Sequence, residues 1–137
     1  MTSPYFDSGN FDEATGDYTV PADGRYSIEV TLNYTTAPIT ATIGTAEPTI
    51  VVQRTSPTTD DLISGYFPVL NIDVALVLTI RAILGNGLVT LAGEVELAAG
   101  DVIGLFYVSD TLALTLNLGA AVSPGGPGIF WSILRMT

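Results

Sequence analysis

The run Phe11-Asp12-Glu13-Ala14-Thr15-Gly16-Asp17-Tyr18-Thr19-Val20-Pro21-Ala22-Asp23-Gly24-Arg25-Tyr26, with Ser27 to Thr35 behind it, decides the fold. From Arg25 to Thr35 apolar and polar residues alternate without a break. Tyr26, Ile28, Val30, Leu32 and Tyr34 fall on one side; Arg25, Ser27, Glu29, Thr31, Asn33 and Thr35 fall on the other. A period of two belongs to a strand with one face in a core and the other in solvent. Asp23-Gly24 marks a tight turn into that strand.

Working outward, Gly and Pro punctuate the chain and no segment holds a helical period. Short edge pieces are expected around Tyr5-Phe6 and at Asp17 to Val20, a short strand at Ala41-Thr42-Ile43, and a full strand at Thr49 to Thr55. Ser56 to Asp61 reads as a polar turn or loop. Ala75 to Leu84 and Leu88 to Leu97 read as a hairpin through Gly85-Asn86-Gly87, because Asn-Gly favours the positive φ angles of a type I′ turn. In the second arm Val89, Leu91, Gly93, Val95 and Leu97 share a face, with Thr90, Glu94 and Glu96 opposite. Ala98-Ala99-Gly100-Asp101 turns into a strand at Val102 to Val108. Thr111 to Leu118 follows, then a Gly- and Pro-rich loop from Ala120 to Gly128, and Ile129 to Met136 closes the chain as the last strand. Strands at this spacing with no helix between them indicate an antiparallel all-β sandwich.

Two strands break the alternation. In Val102 to Val108, Ile103, Leu105 and Tyr107 oppose Val102, Phe106 and Val108. In Ile129 to Met136, Ile129, Trp131 and Ile133 oppose Phe130, Leu134 and Met136. A strand apolar on both faces is expected to be covered on both. In a two-layer sandwich that cover comes from long loops or from a partner, and partner burial is the reading adopted.

Composition narrows the function. A chain of 137 residues supports one domain with one core, here residues 1–137. With 47% apolar residues it is globular. Cysteine, histidine and lysine are absent, and the cations are Arg25, Arg54, Arg81 and Arg135. Disulfides, thiolate and Schiff-base chemistry, Ser-His-Asp catalysis and a phosphate-loop lysine are therefore excluded, and no enzyme activity or cofactor is expected. Four arginines against fourteen acids, a formal charge of −10, cannot neutralise a phosphate backbone, so no nucleic-acid partner is expected. The longest apolar run, Val74 to Leu84, is interrupted by Thr79 and Arg81 and reaches about half of the roughly 20 residues needed to span a bilayer. Met1-Thr2-Ser3-Pro4 carries neither a basic nor an apolar targeting region, and the chain reads as a domain cut from a longer protein.

The spacing F-x4-G-x-Y-x2-P-x2-G-x-Y in the opening run resembles the entry to the main strand of the complement C1q-like, tumour-necrosis-factor-like domains. Two further motifs follow in the family's order. Gly93 to Leu105 supplies a strand ending in leucine, a Gly-Asp turn and an apolar strand, and Phe130-Trp131-Ser132-Ile133-Leu134 supplies the aromatic-Ser/Thr closing strand. The resemblance implies a two-sheet antiparallel jelly-roll sandwich that forms a homotrimer. It also implies that the long strand, the Gly-Asp-led strand and the final strand share the inner sheet around the three-fold axis. Phe106, Tyr107, Val108, Phe130, Trp131 and Leu134 are then the expected trimer interface. Within the family the chain looks most like the C-terminal head of collagen-like surface glycoproteins of the Bacillus-group exosporium. That implies an extracellular or spore-surface location, an upstream collagen-like stalk, and a role in trimerisation and display. Pro124-Gly125-Gly126-Pro127-Gly128 has no three-residue period and is read as a loop, so the stalk is implied by the resemblance alone.

A second reading is a receptor- or glycan-binding head of an adhesive or phage-type fibre, for which Tyr66-Phe67 are candidate aromatics, with core packing as their other role. Asp60-Asp61 and Ser109-Asp110 were weighed as calcium ligands against ordinary loop acids, and no metal site is assigned. Glu94 and Glu96, at i and i+2, are expected on a solvated face, and Asp101 is expected to cap the Gly100 turn. Asn33-Tyr34-Thr35 matches a glycosylation sequon but lies inside the long strand, and is read as chance.

Overall fold

A computed structural model of the chain describes residues 8–36, 47–67, 69–74, 78–83, 86–109, 116–118 and 128–137. These form eleven strands: β1 (Phe11–Asp12), β2 (Asp17–Thr19), β3 (Gly24–Thr36), β4 (Thr49–Ser56), β5 (Asp60–Tyr66), β6 (Val69–Val74), β7 (Leu78–Ile83), β8 (Asn86–Leu97), β9 (Val102–Val108), β10 (Leu116–Leu118) and β11 (Ile129–Arg135). The described residues are all-β. One antiparallel sheet has the order β1-β2-β9-β4-β5. The other is built on β3. Strand β8 follows one edge of β3 from Gly24↔Leu97 to Thr35↔Asn86. Strands β11 and β10 share its other edge, β11 beside Tyr26 to Leu32 and β10 beside Tyr34 to Thr36. A separate pair, β6-β7, makes a third, two-stranded sheet.

The alternation of the opening strand is realised. Tyr26, Ile28, Val30, Leu32 and Tyr34 are all buried. They form one core with Val89, Leu91 and Leu97 of β8, Ile50 and Val52 of β4, and Ile103 of β9. Phe67, just past β5, sits edge-on between Tyr34 and Tyr107, with ring centroids 5.0 and 5.7 Å away. Such edge-to-face pairs suit the ring quadrupoles and bind the two sheets together. A Cβ at Gly93 of β8 would meet Ile63 Cδ1 at 2.9 Å, so the bare glycine is what lets β5 and β8 approach.

Three expectations need correction. The proposed hairpin across Gly85-Asn86-Gly87 does not form: β7 pairs with β6, and β8 pairs with β3. Asn86 and Gly87 lie inside the β8 ladder, opposite Thr35 and Tyr34. Gly87 is needed there because a Cβ would overlap the Tyr34 ring. Second, the Gly-Asp-led strand β9 does not share a sheet with β3 and β11; it lies in the opposite sheet, between β2 and β4. Third, Asp60 and Asp61 open strand β5 rather than a loop. The turn before them contains a cis Ser56–Pro57 bond. The strand expected at Ala75 to Leu84 is described over Leu78–Ile83, as β7, and its other positions lie outside the described residues. The pieces expected at Tyr5-Phe6, at Ala41 to Ile43, over Thr111 to Thr115 and in most of the Ala120 to Gly128 loop lie outside the described residues.

The three sequence motifs meet at one end of the sandwich. Val20 N–H donates to Asp101 O, and Gly100 N–H donates to Val20 O, both at 2.8 Å. Ala99 N–H donates to Asp23 Oδ1 at 2.7 Å. Arg135 of the last strand reaches Asp23 O through Nη2 at 2.6 Å and Nε at 3.1 Å. The Pro21 to Gly24 entry, the Gly-Asp turn and the closing strand are thus fixed to one another by bonds between positions far apart in sequence.

Tyr34 carries a testable consequence. Its hydroxyl is buried without a hydrogen-bond partner among the described residues. Burial pushes its phenol above the ordinary value of 10.0. The unfolded tyrosine therefore deprotonates first as the pH rises, so Tyr34's contribution is complete below about pH 10 and is lost as the pH climbs through the raised folded value. Tyr34→Phe is expected to leave stability near pH 7 unchanged or higher, since an unpaired buried hydroxyl is removed. The same variant should show a smaller fall in melting temperature between pH 9 and 11.5, followed by circular dichroism. An equal alkaline fall in both proteins would contradict this.

Candidate assembly surface

Of the six residues expected at an interface, four point outward and two point into the core. In β11, Ile129, Trp131 and Ile133 stand opposite Leu32, Val30 and Ile28, on the inner face. Trp131 packs against the core from there. Phe130 and Leu134 stand on the outer face, 48% and 64% exposed, and Met136 continues that row. In β9, Tyr107 pairs with Ile50 and packs inward, while Phe106 and Val108 are on the outside. The period of two in both strands is therefore correct, but half of each doubly apolar strand belongs to the protein's own core. Trp131 and Tyr107 pack against the core for that reason.

The four outward residues lie on two sheets, which sequence periodicity could not reveal. The outer face of the β3 sheet can be read row by row from the register. Leu88 stands beside Asn33; Thr90, Thr31 and Phe130 form the next row; then come Ala92, Glu29 and Ser132, and after them Glu94, Ser27 and Leu134. Leu88 is exposed. It went unassigned in the sequence reading, although the break in alternation at Leu88-Val89 was its signal. Glu94 and Glu96 are exposed on this face, as expected. Arg25 Nε pairs with Glu94 at 3.4 Å. Asn33 of the sequon is also exposed there.

On the other sheet, Thr49 stands between Tyr66 and Val108, and Val51 between Ser64 and Phe106. Tyr66 is 68% exposed, whereas its neighbour Phe67 is a core residue. The two candidate aromatics thus have opposite roles. Phe106 also reaches the flank of the sandwich. There a cleft of about 460 Å³ is lined by the Ala14-Thr15-Gly16-Asp17 turn, Thr55, Gly104, Leu105, Phe106 and Ile129. The flank therefore joins β9 to the start of β11 across the gap between the sheets.

A second cleft, of about 830 Å³, lies at the end where the three motifs meet, and is lined in part by Asp23, Arg25, Arg54, Glu96 and Asp101. Asp101 is buried and accepts from Ala98 N–H at 3.1 Å, which is the cap expected of it. It also pairs with Arg54 Nη1 at 3.4 Å. Arg54 is fully engaged, with Nη2 on Asp60 at 3.1 Å and Nε donating to Thr58 O at 3.3 Å. Asp61 accepts from Gln53 Nε2 at 2.7 Å. Both aspartates weighed as calcium ligands are thus held in protein contacts, and Asp110 lies outside the described residues. Among the described residues no three acidic side chains are grouped to hold a metal ion.

Comparison of the chain with known protein families finds no match, and comparison with curated proteins finds no relative.

Proposed function

We propose that the protein is a trimer-forming head of the C1q-like jelly-roll type, whose role is assembly and display rather than chemistry. The observation that carries this reading is the exposed apolar row Phe130, Leu134 and Met136 at the end of the chain, together with a second surface on the flank where Phe106 is exposed. A closed three-fold ring needs two different surfaces on each copy, because its contacts run head to tail. A face and a flank set at an angle to each other make such a pair, whereas two opposite faces would stack without closing. The strand orders support the jelly-roll reading. In an eight-strand numbering that counts β1 as the first, β1-β2-β9-β4-β5 reads 1-2-7-4-5 and β11-β3-β8 reads 8-3-6, with β6-β7 and β10 as additions. Here β1 lies beside strand 2 and not strand 8, while strands 2 to 8 interleave between the sheets. That interleaving is what two Greek keys wound together give.

The implied setting is the surface of a spore, at the tip of a collagen-like stalk. The charge of −10 fits a soluble, mutually repelling cap. Sedimentation at tens of micromolar is expected to give three times the 14.3 kDa chain mass. A monomer across that range would end the reading. The alternative, a glycan- or receptor-binding head, draws on the exposed Tyr66, on the same sheet as Val108 and Phe106. A glycan array on the intact protein, with Tyr66→Ala as the control, separates the two.

A further inference from the structure

We propose that assembly through the β3-sheet face is coupled to proton uptake at Glu29, so that acid strengthens the oligomer. The inference rests on the assembly reading above. Glu29 occupies the central row of the face, between Ala92 and Ser132. Those two small side chains leave its carboxylate standing clear of its own row. Diagonal to it along β11 are Phe130 and Leu134, the residues that a second copy would cover.

Among the described residues no ion pair is made by this carboxylate. Arg25 lies two same-face positions along β3 and is held by Glu94. The other charged groups on the face are Glu94 and Glu96 of β8, which are acidic. Arg135 of β11 is turned to Asp23 O. Neither β10 nor the exposed row of β11 adds a charge. The flank proposed to dock here brings Asp17 and the neighbouring Glu13, with no lysine or arginine among its lining residues. Closing the interface therefore strips water from Glu29 and sets it near further carboxylates. Both effects disfavour its charged form. By linkage, a group that binds its proton more tightly in the assembled state makes assembly stronger as the pH falls, by up to tenfold per pH unit for each proton taken up.

The test is sedimentation equilibrium of the full chain at pH 8.0 and pH 5.5 at one ionic strength, with Glu29→Gln and, as a charge-matched control on the other sheet, Asp61→Asn. Circular dichroism verifies that all three are folded. The wild-type association constant is expected to rise at least tenfold on going to pH 5.5. Glu29→Gln should assemble at pH 8.0 at least as tightly as the wild type does at pH 5.5 and lose most of the pH dependence, while Asp61→Asn should follow the wild type. Oligomers that form in both proteins with the same pH dependence would overturn the role of Glu29 and leave the assembly reading standing. Monomers at both pH values, in wild type and Glu29→Gln alike, would overturn the assembly reading and this inference with it.

Discussion

Arg54→Ala is expected to cost about 3–5 kcal/mol of unfolding free energy, the range for removing one partner of a buried ion pair. The Asp101 side chain is only 5% exposed and that of Arg54 22%, so solvent replaces the lost guanidinium only by way of the cleft that the two residues line. Asp101 cannot turn away to find water either. Its carboxylate holds Ala98 N–H at 3.1 Å, and its backbone holds Val20 N–H at 2.8 Å. The variant therefore leaves a buried carboxylate without its cation at the junction of the three motifs. Against a total of about 5–15 kcal/mol for a domain of this size, that is a large fraction. Asp101→Asn removes the charge but keeps an oxygen for Ala98 N–H, so it should cost less than Arg54→Ala. Urea unfolding followed by circular dichroism measures both. A loss below about 1 kcal/mol for Arg54→Ala would place the pair with exposed ion pairs and remove it from the account of the fold.

The same pair marks the limit of what the sequence could say. That Asp101 caps its turn was legible, because the cap reaches only to Ala98. That it binds Arg54 was not, since the partners are 47 positions apart and no local pattern joins them. The inner and outer residues of β3, β8, β9 and β11 were legible for one reason: the side-chain period of a strand is two, whatever surrounds it. Which sheet a strand joins is decided by pairing, and period carries no information about that. Hence Phe106 and Phe130, which both face outward, were expected on one surface and lie on two sheets. Strand β5 was missed because Leu62 and Ile63 are adjacent: between Val52↔Ile63 and Gln53↔Asp61 strand β5 holds the extra residue Leu62, and this irregularity breaks the period of two. The hairpin at Asn86-Gly87 was a sound local inference that lost to a longer ladder. Twelve residue pairs with β3, from Gly24↔Leu97 to Thr35↔Asn86, outweigh one favourable turn.

Leu134→Asp and Trp131→Asp should fail in different ways, although three residues apart on one strand. Leu134 is the more exposed, at 64%, and its removal leaves no hole in the core. Most surface substitutions of that kind change stability by no more than about 0.5 kcal/mol, so its monomer should melt near the wild-type temperature. In the proposed assembly, however, the new carboxylate is buried against another copy without a cation to meet it. Burying an unpaired polar or charged group costs several kcal/mol. Since about 1.4 kcal/mol is tenfold in affinity, association should weaken by roughly a hundredfold or more. Trp131→Asp instead places its charge opposite Val30, against the core that Ile28, Val30 and Leu32 fill. The penalty then falls on folding itself, and the variant should lose its cooperative melting whether or not any partner is present. Melting curves read beside sedimented mass separate the two. A Leu134→Asp protein that stays fully assembled would take β11's outer row out of the interface, and a Trp131→Asp protein that melts like the wild type would show that the indole contributes little to the core.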